Sequence, residues 1–243
     1  MMKHVVIRRC LRVLGGILPI SLLVACGDLP GLTSQISLYE PEPSWQFQAD
    51  TPSVDWQLLV EEPNAPGTIN TGRIALKRPD GEFDYFASRQ WSDPAPVFTQ
   101  SLLIEAFEKS GKIVSVGRDS IGLRSDYLLK ADLRELQAEY RGDPNSTAPT
   151  VRVQINTKLV RMPRREIIAG ETFDVAVVAN SPRFEDVVRA FDRALGSVLS
   201  RIVDWTLVQG AADASRQKAE RPRRQSLAIA PDRRGHAVRE EIQ

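Results

Sequence analysis

Tyr127-Leu128-Leu129-Lys130-Ala131-Asp132-Leu133-Arg134-Glu135-Leu136-Gln137-Ala138-Glu139-Tyr140 is the stretch whose pattern says most about the fold. Tyr127, Leu129, Ala131 and Leu133 lie two apart and share one face of an extended strand. The phase slips at Arg134-Glu135, and Leu136, Ala138 and Tyr140 carry the apolar series on. A slip of one residue within a strand is what a β-bulge produces. Downstream, Val151, Val153, Ile155, Thr157 and Leu159 alternate with Arg152, Gln154, Asn156 and Lys158, which gives one buried and one wet face, as in an antiparallel sheet. Residues 166–178 are a third strand. The short connection Met162-Pro163-Arg164-Arg165 favours a meander of the three.

Working outward, shorter strands are expected at 34–39, 56–60, 71–77 and 83–89, separated by proline-rich loops and by the turn chemistry of Pro79-Asp80-Gly81. Ser92-Asp93-Pro94 opens a helix, with Asp93 or a neighbour as cap and proline in the first turn. Phe98, Leu102, Leu103, Ala106 and Phe107 form its apolar face, Gly111 ends it, and residues 112–116 make the strand beyond. Ser181-Pro182 caps the strongest helix, in which Phe184, Val187, Val188, Phe191, Leu195, Val198, Leu199, Ile202 and Val203 step by three or four. Its apolar stripe reads as a face packed on the sheet. The fold class that follows is α/β, a single compact domain, mainly antiparallel β-sheet with two main helices packed on it. After Val208 the apolar periodicity stops, and residues 210–243 read as a disordered basic tail, with Arg221-Pro222-Arg223-Arg224 as a run that touches lipid headgroups or is merely solvated.

The N-terminus carries the one residue whose chemistry is explicit. Lys3, Arg8, Arg9 and Arg12 form a positive region. Residues 13–24 are apolar, broken by Gly15, Gly16 and Pro19, and shorter than the roughly 20 residues a spanning helix needs. Leu23-Val24-Ala25-Cys26 then has the layout of a bacterial lipoprotein signal, with cleavage between Ala25 and Cys26. Diacylglycerol on the Cys26 thiol and acylation of the new amine would anchor the chain stably, because several acyl chains hold where one is marginal. The alternatives are an ordinary secretory signal or an anchor helix in which Cys26 is incidental. Gly27 rather than Asp follows the cysteine, which favours the outer membrane over inner-membrane retention, although Asp28 comes one place later. The expected organisation is 1–25 signal peptide, 26–33 lipidated tether, 34–209 folded domain and 210–243 tail.

Composition narrows the chemistry. The four basic residues before Cys26 leave with the signal and no acidic one does, so 32 basic and 31 acidic residues become 28 and 31 in the mature chain. A mildly acidic body does not suggest nucleic acid as partner. The two cysteines are Cys10 and Cys26, and the two histidines are His4 and His236, so the expected domain holds neither residue type. Ser-His-Asp and Cys-His catalysis and His/Cys metal sites fall away, and no catalytic, cofactor-binding or metal-ligating residue is assigned. No phosphate loop, dinucleotide fingerprint or nucleophile elbow appears. Glu61, Glu62, Asp84, Asp126, Asp132 and Glu135 read as solvated or turn carboxylates rather than acid–base pairs. Arg89 and Trp91 read as a salt-bridged arginine beside a core tryptophan, and Trp45 and Trp56 as buried or interfacial.

Taken together, the Cys26 signal, a strand ending near Tyr39, Trp56-Gln-Leu-Leu-Val60 before a proline loop, Phe83-Asp-Tyr-Phe86 and Arg89-Gln-Trp91-Ser-Asp93-Pro94 entering a helix form an ordered set. With the 127–140 strand and the Val188-Arg-Ala-Phe191-Asp-Arg-Ala-Leu195 helix through Asp204-Trp205, the pattern resembles the auxiliary lipoprotein component of ABC-type transport systems, the PqiC-like family, over residues 26–209. The resemblance implies a compact α/β domain with helices on one side of an antiparallel sheet, and a non-enzymatic periplasmic subunit without cofactor. The implied partners are an MCE-domain protein and its ABC permease and ATPase, in systems that move phospholipids or other hydrophobic molecules between the membranes. Membrane lipid is engaged through acylated Cys26. A docking surface is expected around Trp45 and Trp56 or on an unpaired sheet edge. Two other readings stay open: a lipid-binding carrier, and a structural lipoprotein that assists assembly of another envelope complex.

Overall fold

A computed structural model of the chain describes residues 35–119, 124–140 and 148–228. Ala25, Cys26, the expected signal peptide and the tether lie outside them. The elements run β1 (Ser37–Tyr39), β2 (Val54–Val60), β3 (Arg73–Lys77), β4 (Phe83–Trp91), α1 (Ala95–Ser110), β5 (Ile113–Arg118), β6 (Tyr127–Glu139), β7 (Thr150–Arg161), β8 (Glu166–Val178) and α2 (Phe184–Ala228).

β6 is the spine of one mixed sheet. Along one edge it pairs antiparallel with β7 over its whole length, and β7 pairs antiparallel with β8, which is the expected meander. The register shifts between Leu133 and Glu135, where the sequence phase slips. On its other edge β6 meets two strands in succession, both parallel: β2 through Leu58↔Tyr127 to Val60↔Leu129, and β3 through Ala75↔Gln137 to Lys77↔Glu139. Asn64 fills the interval: its N–H donates to Ala131 O at 3.0 Å, and its carbonyl accepts the Leu133 N–H at 2.8 Å. β5 adds parallel to β2, β4 adds antiparallel to β3, and β1 adds parallel to β4. The long ladders are thus antiparallel, and the short outer pairings supply the parallel ones.

Both helices contribute to the core on one side of the sheet. Phe107, Leu103, Phe191, Leu195, Leu199, Val203 and Leu207 pack with Val60, Tyr127, Leu133, Leu136, Val153 and Ile155 in one cluster. Each such aliphatic side chain stabilises by roughly 1.5–3 kcal/mol relative to exposure. α1 departs from expectation at its start. Its N-cap is Pro94 with no side-chain cap, and the Pro94 carbonyl accepts the N–H groups of Val97 and Phe98 at 2.9 and 3.2 Å. Asp93 is exposed and does not cap it. Gly111 closes the helix with φ 62°, as expected for a left-handed C-cap.

The tail expectation is corrected in part. α2 continues to Ala228, so residues 210–228 are helical rather than disordered, and 229–243 lie outside the described residues. Apolar periodicity is lost there, but polar and steric anchors replace it. A Cβ on Gly210 would come within 2.9 Å of Trp56 Cε2, so glycine lets α2 close on the indole. One turn on, Asp213 is buried.

Candidate functional site

The proline-rich segment between β1 and β2 reads as a loop, but it lies extended along α2 as a strap. The Glu42 N–H donates to Asp192 Oδ1 at 3.0 Å, Gln46 N–H to Ser200 Oγ at 3.0 Å, and Gln48 N–H to Asp204 Oδ2 at 3.1 Å. Between them a Cβ on Gly196 would overlap the Ser44 carbonyl oxygen. Strap residues 42, 44, 46 and 48 therefore meet helix residues 192, 196, 200 and 204. Two extended residues rise roughly 6.6 Å and four helical ones roughly 6.0 Å, so the two stay in step as parallel segments. Thr51 Oγ1 ends the run by donating to Asp204 Oδ1 at 2.6 Å. Trp45 and Phe47, the intervening residues, pack against the core. Burial pushes the Asp192 carboxyl above its ordinary value, and the Glu42 N–H only partly offsets this.

β1 is clamped where the strap begins. Tyr39 packs edge-on against Phe184 at 4.8 Å, and its hydroxyl accepts from Arg89, whose guanidinium also sits 4.9 Å from the Phe184 ring centroid. Arg89 is thus held by aromatic rings and a phenol, not the expected carboxylate. Trp91 is a core residue as expected, edge-on to Phe98 and Phe191.

Farther along α2, Asp213 is the centre of a buried polar node. It accepts from Tyr127 Oη at 3.0 Å, from Arg161 Nη1 at 2.8 Å and from Gln217 Nε2 at 2.7 Å. Burial raises the Asp213 carboxyl, but Gln217, Tyr127 and Arg161 outweigh it and hold the group below its ordinary value. Tyr127 is pushed up, by burial first and then by the Asp213 carboxylate. The node ties β6 and β7 to the helix and has no open face onto a substrate-sized cleft: Asp213 and Tyr127 are each 2 % exposed.

The other carboxylates singled out in the sequence are held in structural pairs or on the surface. Asp84 pairs with Arg78, Glu61 with Lys130, Asp126 accepts the Gln57 N–H at 2.9 Å, Asp132 accepts from Asn64, Glu135 accepts from Gln137, and Glu62 is exposed. Among the described residues no group of three or more His, Cys, Asp or Glu side chains has metal-binding geometry, and no helix is long and apolar enough to cross a membrane.

Of the two places expected to offer a docking surface, the neighbourhood of Trp45 and Trp56 is partly closed, with Trp56 buried and Trp45 half-buried. Trp56 is 5 % exposed, edge-on to Tyr127 and closed over by Gly210 of α2, and Trp45, on the strap, is half-buried against the core. The large exposed aliphatics among the described residues cluster instead on the sheet's edge strands: Ile36 and Leu38 at β1, Val114 on β5, and Ile167 and Val178 on β8, with Val208 on α2. Neither the strap nor the buried node carries a sequence motif, and both escaped the reading of the sequence.

The fold is an α/β domain with a packed interior and exposed aliphatic side chains on its outermost strands. The chain belongs to the ABC-type transport auxiliary lipoprotein component family, whose pattern matches residues 37–203. That family is one of cell-envelope, membrane-anchored proteins associated with ABC-type transporters. The chain is similar to the crystal structure of protein XCC0632 from Xanthomonas campestris, of family DUF330, at 33% identity, covering 74% of this chain and 99% of that one with a TM-score of 0.69. A second crystal structure, of an uncharacterized protein at 14% identity, shares the fold over 70% of this chain and 97% of that one, with a TM-score of 0.54. Among curated proteins none matches the chain.

Proposed function

We propose that the chain is a lipid-anchored, non-enzymatic adaptor of an MCE-type ABC transport system, one that moves phospholipids or other hydrophobic molecules between inner and outer membranes. Acylated Cys26 holds the domain at the periplasmic face, with the outer membrane favoured by Gly27 after the cysteine. The domain then docks the MCE protein, whose permease and ATPase complete the assembly. The observation that carries this reading is the family match across residues 37–203. The adaptor reading is favoured over a lipid carrier by the packing between helices and sheet. Phe107, Leu103, Phe191, Leu195, Leu133 and Ile155 there are all fully buried and fill the space a carried acyl chain would need.

The test is purification of the tagged, lipidated protein under mild detergent. An MCE protein is expected to come with it; recovery of the chain alone, while the other components assemble normally without it, sinks the adaptor reading. Native mass spectrometry of the anchor-free domain separates the alternatives: a bound lipid favours the carrier, and loss of an unrelated envelope complex on deletion favours an assembly role.

A further inference from the structure

Resting on the reading of Cys26 as the acylated residue, we infer that the β1 edge is a membrane-contact surface, seated on the phospholipid headgroup region of the bilayer that holds the anchor. Ile36 and Leu38 are 56 % and 63 % exposed. Lying two apart in extended chain, they point the same way, while Tyr39 turns inward onto Phe184. β1 pairs only with β4 among the described strands, so this apolar pair stands at the rim of the sheet.

The length of chain before it supplies the occupant. Ile36 lies ten positions after Cys26, a contour of at most about 35 Å. An acyl anchor therefore confines Ile36 and Leu38 to a thin layer above the bilayer, and confinement multiplies a weak apolar contact by effective concentration. Two exposed aliphatic side chains are too few for stable membrane binding by a free domain and enough to orient a tethered one. Arg89, through Tyr39 and Phe184, makes β1 rigid with α2, so seating β1 orients the whole domain. The neighbouring charges select the lipid. Glu40 and Glu42 are exposed beside the pair, so a zwitterionic surface is preferred and anionic lipid adds nothing.

The chain is suited to a direct test, because Cys10 leaves with the signal and acylation consumes Cys26, so an introduced cysteine is unique. Ile36→Cys, Leu38→Cys and, on β5 at the other end of the sheet path, Val114→Cys are each spin-labelled in the acylated mature protein in phosphatidylcholine vesicles. Labels at 36 and 38 are expected to favour collision with membrane-dissolved oxygen over an aqueous nickel chelate, with the reverse at 114, and adding phosphatidylglycerol is expected not to strengthen the effect. Aqueous behaviour at 36 and 38 in a protein whose Cys26 is acylated by mass spectrometry overturns this inference and leaves the anchor reading standing. Spin–spin broadening at 36 without oxygen preference assigns the edge to a second copy and also overturns it. An unmodified Cys26 removes the inference together with the anchor reading.

Discussion

Gly196 of α2 lies so close to Ser44 of the strap that a Cβ would overlap the Ser44 carbonyl oxygen and lie 3.3 Å from its carbonyl carbon and nitrogen. In an exposed helix interior, alanine is better than glycine by about 1 kcal/mol. Here the obstruction is backbone, which cannot rotate away. Gly196→Ala is expected to lower stability by about 1–3 kcal/mol, read as a reduced urea midpoint. An unchanged or raised midpoint would mean that the strap is not seated on α2.

Asp204 accepts two strap donors, the Gln48 N–H and the Thr51 hydroxyl. Asp204→Ala leaves both unpaired beside the core and is expected to cost about 2–4 kcal/mol. Protease cleavage between residues 41 and 51 should rise in parallel. A loss of stability with no change in cleavage would place the effect elsewhere.

Asp192 and Asp213 make opposite contributions to pH dependence. Burial raises Asp192, so the fold favours its protonated form, and stability from this group is present at low pH and is lost as pH rises through its raised value. Asp213 is held below its ordinary value, so its contribution is full above pH 3.8 and is lost as pH falls below it. Asp192→Asn, which keeps an acceptor for Glu42, is expected to flatten the decline above pH 3.8. Asp213→Asn is expected to weaken the fold at neutral pH and to flatten the acid decline. Urea midpoints from pH 2.5 to 7 check both slopes, and identical slopes in wild type and variants refute them.

Termination after Gln209 removes Asp213 and leaves Arg161 and Tyr127 without that acceptor, whereas termination after Lys218 keeps the node. The shorter chain is expected to melt several degrees lower, the longer one close to the full chain. Equal melting of all three would return the segment to a dispensable tail.

Cys26→Ala is expected to move the protein from the membrane fraction to the soluble fraction with the folded domain's melting temperature unchanged, and to abolish support of transport. Full activity in that variant would show the anchor to be dispensable.

The features legible in the sequence are those with a periodic signature. The Arg134-Glu135 slip emerges as the register shift at Leu133/Glu135, and the 151–159 alternation as the β7 ladder. The strap was not legible, because its contacts are made by backbone N–H groups that any residue carries, and its prolines read simply as loop. Helix past Val208 was missed because Gly210, Asp213 and Gln217 hold it, and none of them adds to an apolar stripe. Asp93 was a reasonable cap, displaced because the Pro94 carbonyl begins the helix one residue later.

The strap also sets an order of events. Its four contacts with Asp192, Ser200 and Asp204 span 150 to 156 residues of chain. The β6–β7–β8 hairpins close over far shorter loops, so their ladders need no distant partner. A chain still emerging N-terminus first has residues 41–51 in place long before their acceptors exist. Completion of the domain therefore waits on the arrival of Asp204, and any product released earlier carries Trp45 and Phe47 uncovered, a ready signal for quality-control proteases.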